Sequence, residues 1–345
     1  MDANLTYGRP RDERELAAWA GIVHRSFGLP LAELPAWITQ LGEDNARVLR
    51  GSTAPLGALA VLDMGQWFGG KNVPTGGVVA VGVEPFARGA GHGKRLMTEL
   101  LGELAARRCA LSTLFPATNA FYRACGYELA GVRYDVGLRL RELALDGAID
   151  LSGVWMRPLT PDDVPAIRRV YAARARLANG WMERHRYLWT RVQNWLGEER
   201  QGYVIGHAGE IEGYVFAVQR RQSGVSEQEL GIGDAVTLTR RAAARFVSFC
   251  GDFSTLCTRA RLNLAPDDPI FGVLAENSFE ARLMMPWMIR IVDVERALAA
   301  RGYPAALRGT LSIELADELL HANEGRWTLN VEGGTAHVSA GGSGA

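Results

Sequence analysis

The sequence predicts an α+β protein: two successive mixed-sheet domains, the second a degenerate copy of the first, followed by a shorter α+β unit. Three observations predict it. Helical and strand periodicities interleave through the first third of a 345-residue chain, a length that calls for more than one compact unit. The opening pattern then returns near residue 155, where "VWMRPLTPDDVPAIRRVYAARA" parallels "LTYGRPRDERELAAWAGIVHRS": Arg-Pro, acids, amphipathic helix. From Trp287 the texture changes, with "WMIRIVDVERALAARGYPAALRGTLSIELADELL" read as helix and "GRWTLNVEGGTAHVS" as strand-like pieces. The expected domains are 1–145, 146–286 and 287–345, with a small polar tail, "SAGGSGA", expected to be disordered.

Taken in order, "RPRDERELAAWAGIVHRSFG" places Leu16, Trp19, Ile22, Val23 and Phe27 at helical spacing and stops at Gly28. "LPAWITQL" reads as a second short helix. "NARVLRG" and "LGALAVLDMGQWFGG" read as strands, and "GGVVAVGVEP" as a central apolar strand stopped by Pro85. "GHGKRLMTELLGELAARR" carries Leu96, Met97, Leu100, Leu101 and Leu104 on one helical face; the strand "ALSTLFP" and the helix "NAFYRACGYE" follow. In the second copy, "YVIGHAGEIEGYVFAVQ" is a strand pair and "LGIGDAVTLTRRAAARFVSFC" again sets a strand before a helix. "RRAAAR" reads as a solvated helix face, and the aromatic run "WMERHRYLWTRVQNW" as core or subunit interface without a site role.

Composition excludes several classes of function. With 48% hydrophobic and 22% charged residues and zero formal net charge, neither disorder nor a polyanion-binding surface is indicated, so no nucleic-acid partner is expected. The apolar runs are strand-sized and the N-terminus is too polar for a secretory signal, so no membrane partner and a cytoplasmic location are expected. Four cysteines without CxxC spacing fit a reducing compartment, and six scattered histidines give no metal site.

The stretch "RGAGHGKRLM", directly after the apolar strand, is the informative one. A dinucleotide fold needs its glycine turn immediately after the strand and an acid at the end of the next; here Glu84 to Ala87 intervene and the next strand ends "LFP". A Walker loop needs Ser or Thr after its Gly-Lys, whereas Arg95 follows Lys94. The remaining reading is a coenzyme A cradle. Arg88, Gly89, Ala90, Gly91, His92 and Gly93 would present backbone amides, a helix N-terminus and one guanidinium to a pyrophosphate. The second copy has Thr239 to Arg245 at this place, without a glycine.

This arginine and these glycines, followed by Phe121, Tyr122, Gly126 and Tyr127 of "FYRACGY", resemble the signature of the GNAT acetyltransferases. The similarity of "MGQWFGGKNVPTGGVVAVGVEPFARGAGHG", "LSTLFPATNAFYRACGYELAG" and "WMIRIVDVERALAARGYP" extends to the enhanced intracellular survival family. In that family an active GNAT domain, a degenerate one and a sterol-carrier-like domain are joined. The resemblance implies acetyl-CoA as cosubstrate, amine acceptors such as aminoglycosides or lysine side chains, and a homo-hexamer. It also implies a chain extending beyond the position of Ala345, with a terminal carboxylate in the active site, so the third unit is expected to be incomplete.

Acetyl transfer to an amine needs a polarised carbonyl and a proton for the leaving thiolate. Backbone amides from Val81, Gly82 and Val83 are the candidates for the carbonyl and the pantetheine arm. The family motif sets Tyr122 beside the sulfur as general acid, and Trp37 matches an acceptor-pocket tryptophan; Tyr127 is assigned to the core. The base stays open between Glu84, a terminal carboxylate and solvent. His24 reads as a helix-face residue and His92 as solvent-facing. The competing reading is a non-catalytic protein that binds coenzyme A and a further ligand.

Overall fold

A computed structural model describes residues 5–221 and 228–342. The chain divides into two compact units, one built from residues through Gly131, Ala178–Tyr187 and everything from Trp287, the other from Val132–Leu177 and Leu188–Pro286.

In the first unit the strands β1 (Thr6–Gly8), β2 (Ala46–Arg50), β3 (Pro55–Phe68), β4 (Lys71–Val83) and β5 (Leu111–Leu114) lie side by side in that order. All neighbours are antiparallel except β4 and β5. The end of strand Phe279–Ile291 covers the far edge of β5, with Met288 opposite Leu114. Helix α1 (Glu13–Phe27) begins where the Asp12 carboxylate accepts the Glu15 amide and ends at Gly28, whose φ of 67° lets its amide return to the His24 carbonyl. Helix α2 (Leu34–Leu41) follows as expected.

Gly82 of β4 faces α1, where Ile22 and Ser26 sit against it; Gly57, one register step away, faces Leu96 of α3 (His92–Ala106). The two helices therefore cover opposite faces of the β3–β4 pair. The five apolar residues of α3 named above are fully buried, each contributing about 1.5–3 kcal/mol. Glu103 on the same helix receives the Arg47 guanidinium and, at 2.6 Å, the Tyr7 hydroxyl, tying α3 to β1 and β2. Burial alone would raise the Glu103 carboxyl, but the bonds from Arg47 and Tyr7 outweigh it and hold the group at about 2. Its contribution to stability is therefore present above the ordinary carboxylate range and is lost as pH falls toward that value.

β4 begins a half-length earlier than its apolar run suggests: Lys71 to Gly77 already pair with β3, disguised in the sequence by Pro74 and two glycines. The β3–β4 turn is clasped by backbone. Gly302 donates its amide to the Phe68 carbonyl at 3.0 Å, Asn179 accepts the Gly69 amide at 2.8 Å, and a Cβ on Gly69 (φ 57°) would lie 2.1 Å from the Gly302 oxygen. Gly69→Ala is expected to cost about 2–3 kcal/mol, from ~1–2 of left-handed strain and ~1 of overpacking. Gly209→Ala, at φ 87° with open space around it, should lose only the strain. Urea unfolding of the two variants checks this; equal losses would mean that the clasp is not tight.

After Ile291 come the helix Val294–Ala300, which packs against β4, and an antiparallel sheet of Gly309–Leu315, Gly325–Glu332 and Thr335–Ala340. "WMIRI" and "GTLSIEL" are thus strands rather than helix: Met288 and Arg290 are buried while Ile289 packs on the cluster of Val73, Ala110, Leu111 and Ala297, a period of two, and Gly309–Leu315 pairs antiparallel with the next strand.

The second unit repeats the plan. Its strands run Glu128–Arg139, Cys257–Leu264, Gln228–Thr237, Glu210–Arg221, Gln201–His207 and Val154–Pro158 across the sheet. The one parallel pair among these flanks the helix Arg240–Gly251, as β4 and β5 flank α3. The expected solvated face "RRAAAR" is only half so: Ala242, Ala243 and Ala244 are buried with Phe246 and Val247, and the arginines carry the exposed side. In the aromatic run, Tyr187 and Trp189 are buried, and residues 178–187 pack with the first unit through Met182–Glu183 on the edge of β3. No described helix is long and apolar enough to cross a membrane.

Candidate active site

The site is built where β4 loses a neighbour. β4 pairs with β5 only over Thr75 to Gly77, so from Val78 to Val83 its β5 side is open. Within that stretch Ala58 opposes Gly82 and Ala60 opposes Val79, leaving Ala80 and Val81 against the single residue Leu59. This is a β-bulge, with Ala80 held at φ 58°. A non-glycine residue in the left-handed region is strained, and here the bulge kinks β4 directly before Val81 to Val83. Opposite the bulge, the Leu59 carbonyl is taken by the Trp19 indole N–H at 2.8 Å. Nothing in the sequence signals the bulge.

β4 then runs through a short turn, Pro85–Ala87, into Arg88 and the glycines. Gly89 and Gly91 have φ of 81° and 85°, and no side chain caps the start of α3 at Gly91. Among the described residues, the amides from Gly89 to Lys94 make no hydrogen bond. Six consecutive unsatisfied donors at a helix N-terminus form an anion site of the kind a pyrophosphate fills. A Cβ on Gly89 or Gly91 would meet nothing within 4 Å, so the protein itself leaves this space clear. Arg88 stands exposed beside it, with Nε 3.3 Å from the Val83 carbonyl. These residues fit coenzyme A: amides and Arg88 for the diphosphate, the open edge of β4 for the pantetheine arm.

Gly93 has a different reason to be glycine. A Cβ there would lie 3.2 Å from the Phe121 ring, so the cradle helix and α4 (Asn119–Arg123) meet through it. This contact brings the two halves of the motif together, 28 positions apart in sequence. α4 is shorter than the expected helix, ending before Gly126, whose φ of 79° turns the chain. Tyr122 packs edge-on against Phe121 and Tyr127, with ring centroids 4.9 and 6.0 Å away. It is 6% exposed, and its hydroxyl makes no hydrogen bond among the described residues. Burial pushes its phenol up to about 12. Tyr127 contrasts with it: fully buried, its hydroxyl shares a 2.7 Å hydrogen bond with Ser112, as suits a core residue.

The remaining candidates are placed as follows. Glu84 is 8% exposed, and both of its carboxylate oxygens are held by the Arg25 guanidinium, one at 3.0 Å from Nε. Its pairing with Arg25 had no sequence signal. His24 gives Nδ1 to the Leu29 carbonyl at 2.6 Å. His92, expected to face solvent, is half-buried, with Nδ1 shielded and without a hydrogen-bond partner among the described residues. Trp37 lies buried beside Trp19, centroids 5.9 Å apart, and donates its indole N–H to the Tyr187 hydroxyl at 2.8 Å. All four cysteines are free and buried, and no group of three or more His, Cys, Asp or Glu among the described residues could hold a metal ion.

In the second unit the matching helix N-terminus is closed by its own side chains. Thr239 accepts the Ala242 amide at 3.2 Å, and Glu212 receives the Thr239 hydroxyl at 2.7 Å and the Arg241 guanidinium. The N-terminus is thus capped by Thr239, whose hydroxyl is in turn held by a carboxylate.

Comparison with known proteins gives matches to three domain families along the chain. Residues 9–130 match an acetyltransferase (GNAT) domain, residues 180–291 a second acetyltransferase (GNAT) domain and residues 294–345 a sterol carrier protein domain. No curated protein matches the chain. Among solved structures, Eis1 from Mycobacterium abscessus is 21% identical, with a TM-score of 0.77 over 97% of this chain and 85% of that one. A GCN5-related N-acetyltransferase from Kribbella flavida is 24% identical, with a TM-score of 0.83 over 99% and 85%. A GCN5-related N-acetyltransferase from Anabaena variabilis is 30% identical over 99% of this chain and 86% of that one, with a TM-score of 0.92. With that identity sustained over nearly the whole chain, the protein belongs to the GCN5-related N-acetyltransferases.

Proposed function

We propose that the protein transfers the acetyl group of acetyl-CoA to amines of small molecules such as aminoglycosides, or to lysine side chains, within the enhanced intracellular survival branch of its family. The observation that carries this reading is the run of unbonded amides from Gly89 to Lys94 leading from the open edge of β4. Bound there, acetyl-CoA supplies an activated acyl group. Amides of Val81 to Val83 stabilise the carbonyl oxygen as charge develops on it. Tyr122, a phenol protonated at neutral pH whose burial carries the acid form further into the alkaline range, donates its proton to the departing sulfur. Because Arg25 holds Glu84 at both oxygens, the amine's proton is released to solvent or to a group outside the described residues.

Incubation with acetyl-CoA and a panel of aminoglycosides and lysine peptides, followed by free thiol, tests the reading. Absence of thiol release while coenzyme A is bound would overturn it.

The cradle has its own test. Arg88→Ala should weaken coenzyme A binding by about 1.5–3 kcal/mol, the loss of a charge-assisted contact. Gly91→Glu, with a carboxylate and a Cβ on a left-handed residue, should weaken it further; neither should unfold the chain, since a Cβ at Gly91 meets open space. Thr239→Val in the second unit should leave affinity unchanged. Calorimetry giving wild-type affinity for both cradle variants would remove the cradle.

A further inference from the structure

Ser26 is the unexplained polar group beside the proposed reaction centre. It lies in the last turn of α1, where a serine hydroxyl ordinarily returns to the carbonyl four residues back. Here the hydroxyl makes no hydrogen bond with any described residue, although its oxygen is shielded from solvent. Such atoms are few in folded proteins. Its position is set by Gly82: a Cβ on that residue would lie 2.5 Å from Ser26 Oγ. The glycine thus lets the hydroxyl reach the backbone of β4 at the residue after the bulge, inside the stretch Val78 to Val83 that has lost β5. The neighbouring residue, Arg25, is committed to Glu84, whereas the Ser26 hydroxyl is uncommitted among the described residues. Ser26 as a whole is only partly buried, and its hydroxyl has three staggered positions available about the Cα–Cβ bond.

We propose that Ser26 positions the acceptor: its hydroxyl oxygen accepts one N–H of the incoming neutral amine and aims the nitrogen lone pair at the acyl carbon held along β4. The nitrogen forms the new C–N bond as the C–S bond breaks, the sulfur takes the Tyr122 proton, and the amine's surplus proton leaves to solvent. This rests on the acetyl-transfer reading above.

The test compares Ser26→Ala and Ser26→Thr with the wild type, using acetyl-CoA with neomycin and with Nα-acetyl-lysine. Ser26→Ala should raise the acceptor KM about five- to tenfold, the size of one neutral hydrogen bond. Coenzyme A affinity by calorimetry and the slow acceptor-independent hydrolysis of acetyl-CoA should stay within about twofold, because neither uses the amine; Ser26→Thr, which keeps the hydroxyl, should recover most of the loss. An unchanged acceptor KM in Ser26→Ala, or parallel losses in coenzyme affinity and hydrolysis, would overturn the assignment while leaving the acetyl-transfer reading intact. A wild type that binds coenzyme A but acetylates neither probe would overturn both.

Discussion

Tyr122→Phe should lower kcat by about 10²–10⁴-fold, the usual contribution of a positioned general acid, equivalent to about 2.7–5.5 kcal/mol of barrier. Coenzyme A affinity should not change, because the Phe ring keeps the edge-on packing against Phe121 and Tyr127 and only the hydroxyl is lost. The hydroxyl has no hydrogen bond to lose among the described residues, so stability should hardly move. The pH dependence supplies a second readout. Burial raises the phenol to about 12, so the acid form persists through pH 10, where an unperturbed tyrosine would be half ionised. The wild-type kcat should therefore show no descending limb from this group below about pH 11. Stopped-flow thiol release for both proteins from pH 6 to 10.5 decides the matter: wild-type turnover in the variant would leave Tyr122 a core residue.

Much of the site was legible because its chemistry is local in sequence. The cradle is one turn and the start of one helix, and Gly89 and Gly91 are needed there for their positive φ, which a sequence can advertise. Tyr122 and Tyr127 lie five positions apart in one motif, yet the Tyr127 hydroxyl shares a hydrogen bond with Ser112 while that of Tyr122 has no partner among the described residues, a difference the sequence does not display. What could not be read is set by long-range pairing. The bulge at Ala80 depends on the register of β3 against β4, and the opening of β4 on where β5 stops. The Arg25–Glu84 pair and the Gly93–Phe121 contact join positions that no periodicity links. The same limit applies to the fold. Helices α1 and α2 match their periodicity, whereas β4 hides its first half behind Pro74 and glycines, and the strand ending "WMIRI" reads as helix because its apolar run is short and continuous.

The largest stability effect is expected at Arg290, where the strand Phe279–Ile291 meets the segment after Leu315. Arg290 Nη2 lies 2.5 Å from Asp317 Oδ1, with both side chains under 10% exposed. Asp317 also accepts the amides of Leu319 and Leu320, at 3.2 and 3.0 Å, and the Asn323 side-chain amide at 3.0 Å; Asn323 in turn accepts the Val294 amide. Behind the pair Gly126 has no room for a side chain, since a Cβ there would lie 2.8 Å from the guanidinium. Burial alone would raise the Asp317 carboxyl, but the bonds from Arg290 and Asn323 prevail and hold it below the usual carboxylate range. Arg290→Met leaves that carboxylate buried with no counter-charge and should cost about 3–5 kcal/mol. Adding Asp317→Asn removes the unpaired charge while an amide oxygen still accepts the Leu319 and Leu320 amides, so the double variant should regain most of the loss. The sign with pH follows from the depressed carboxyl: its stabilising contribution is present above the ordinary carboxylate range and lost below it. The penalty of Arg290→Met should accordingly shrink between pH 7 and pH 4 as Asp317 protonates in the variant. Urea unfolding at both pH values tests this; a single-variant loss under about 1 kcal/mol, or a double variant no better than the single, would mean that solvent reaches the pair and that packing, not charge, holds this junction.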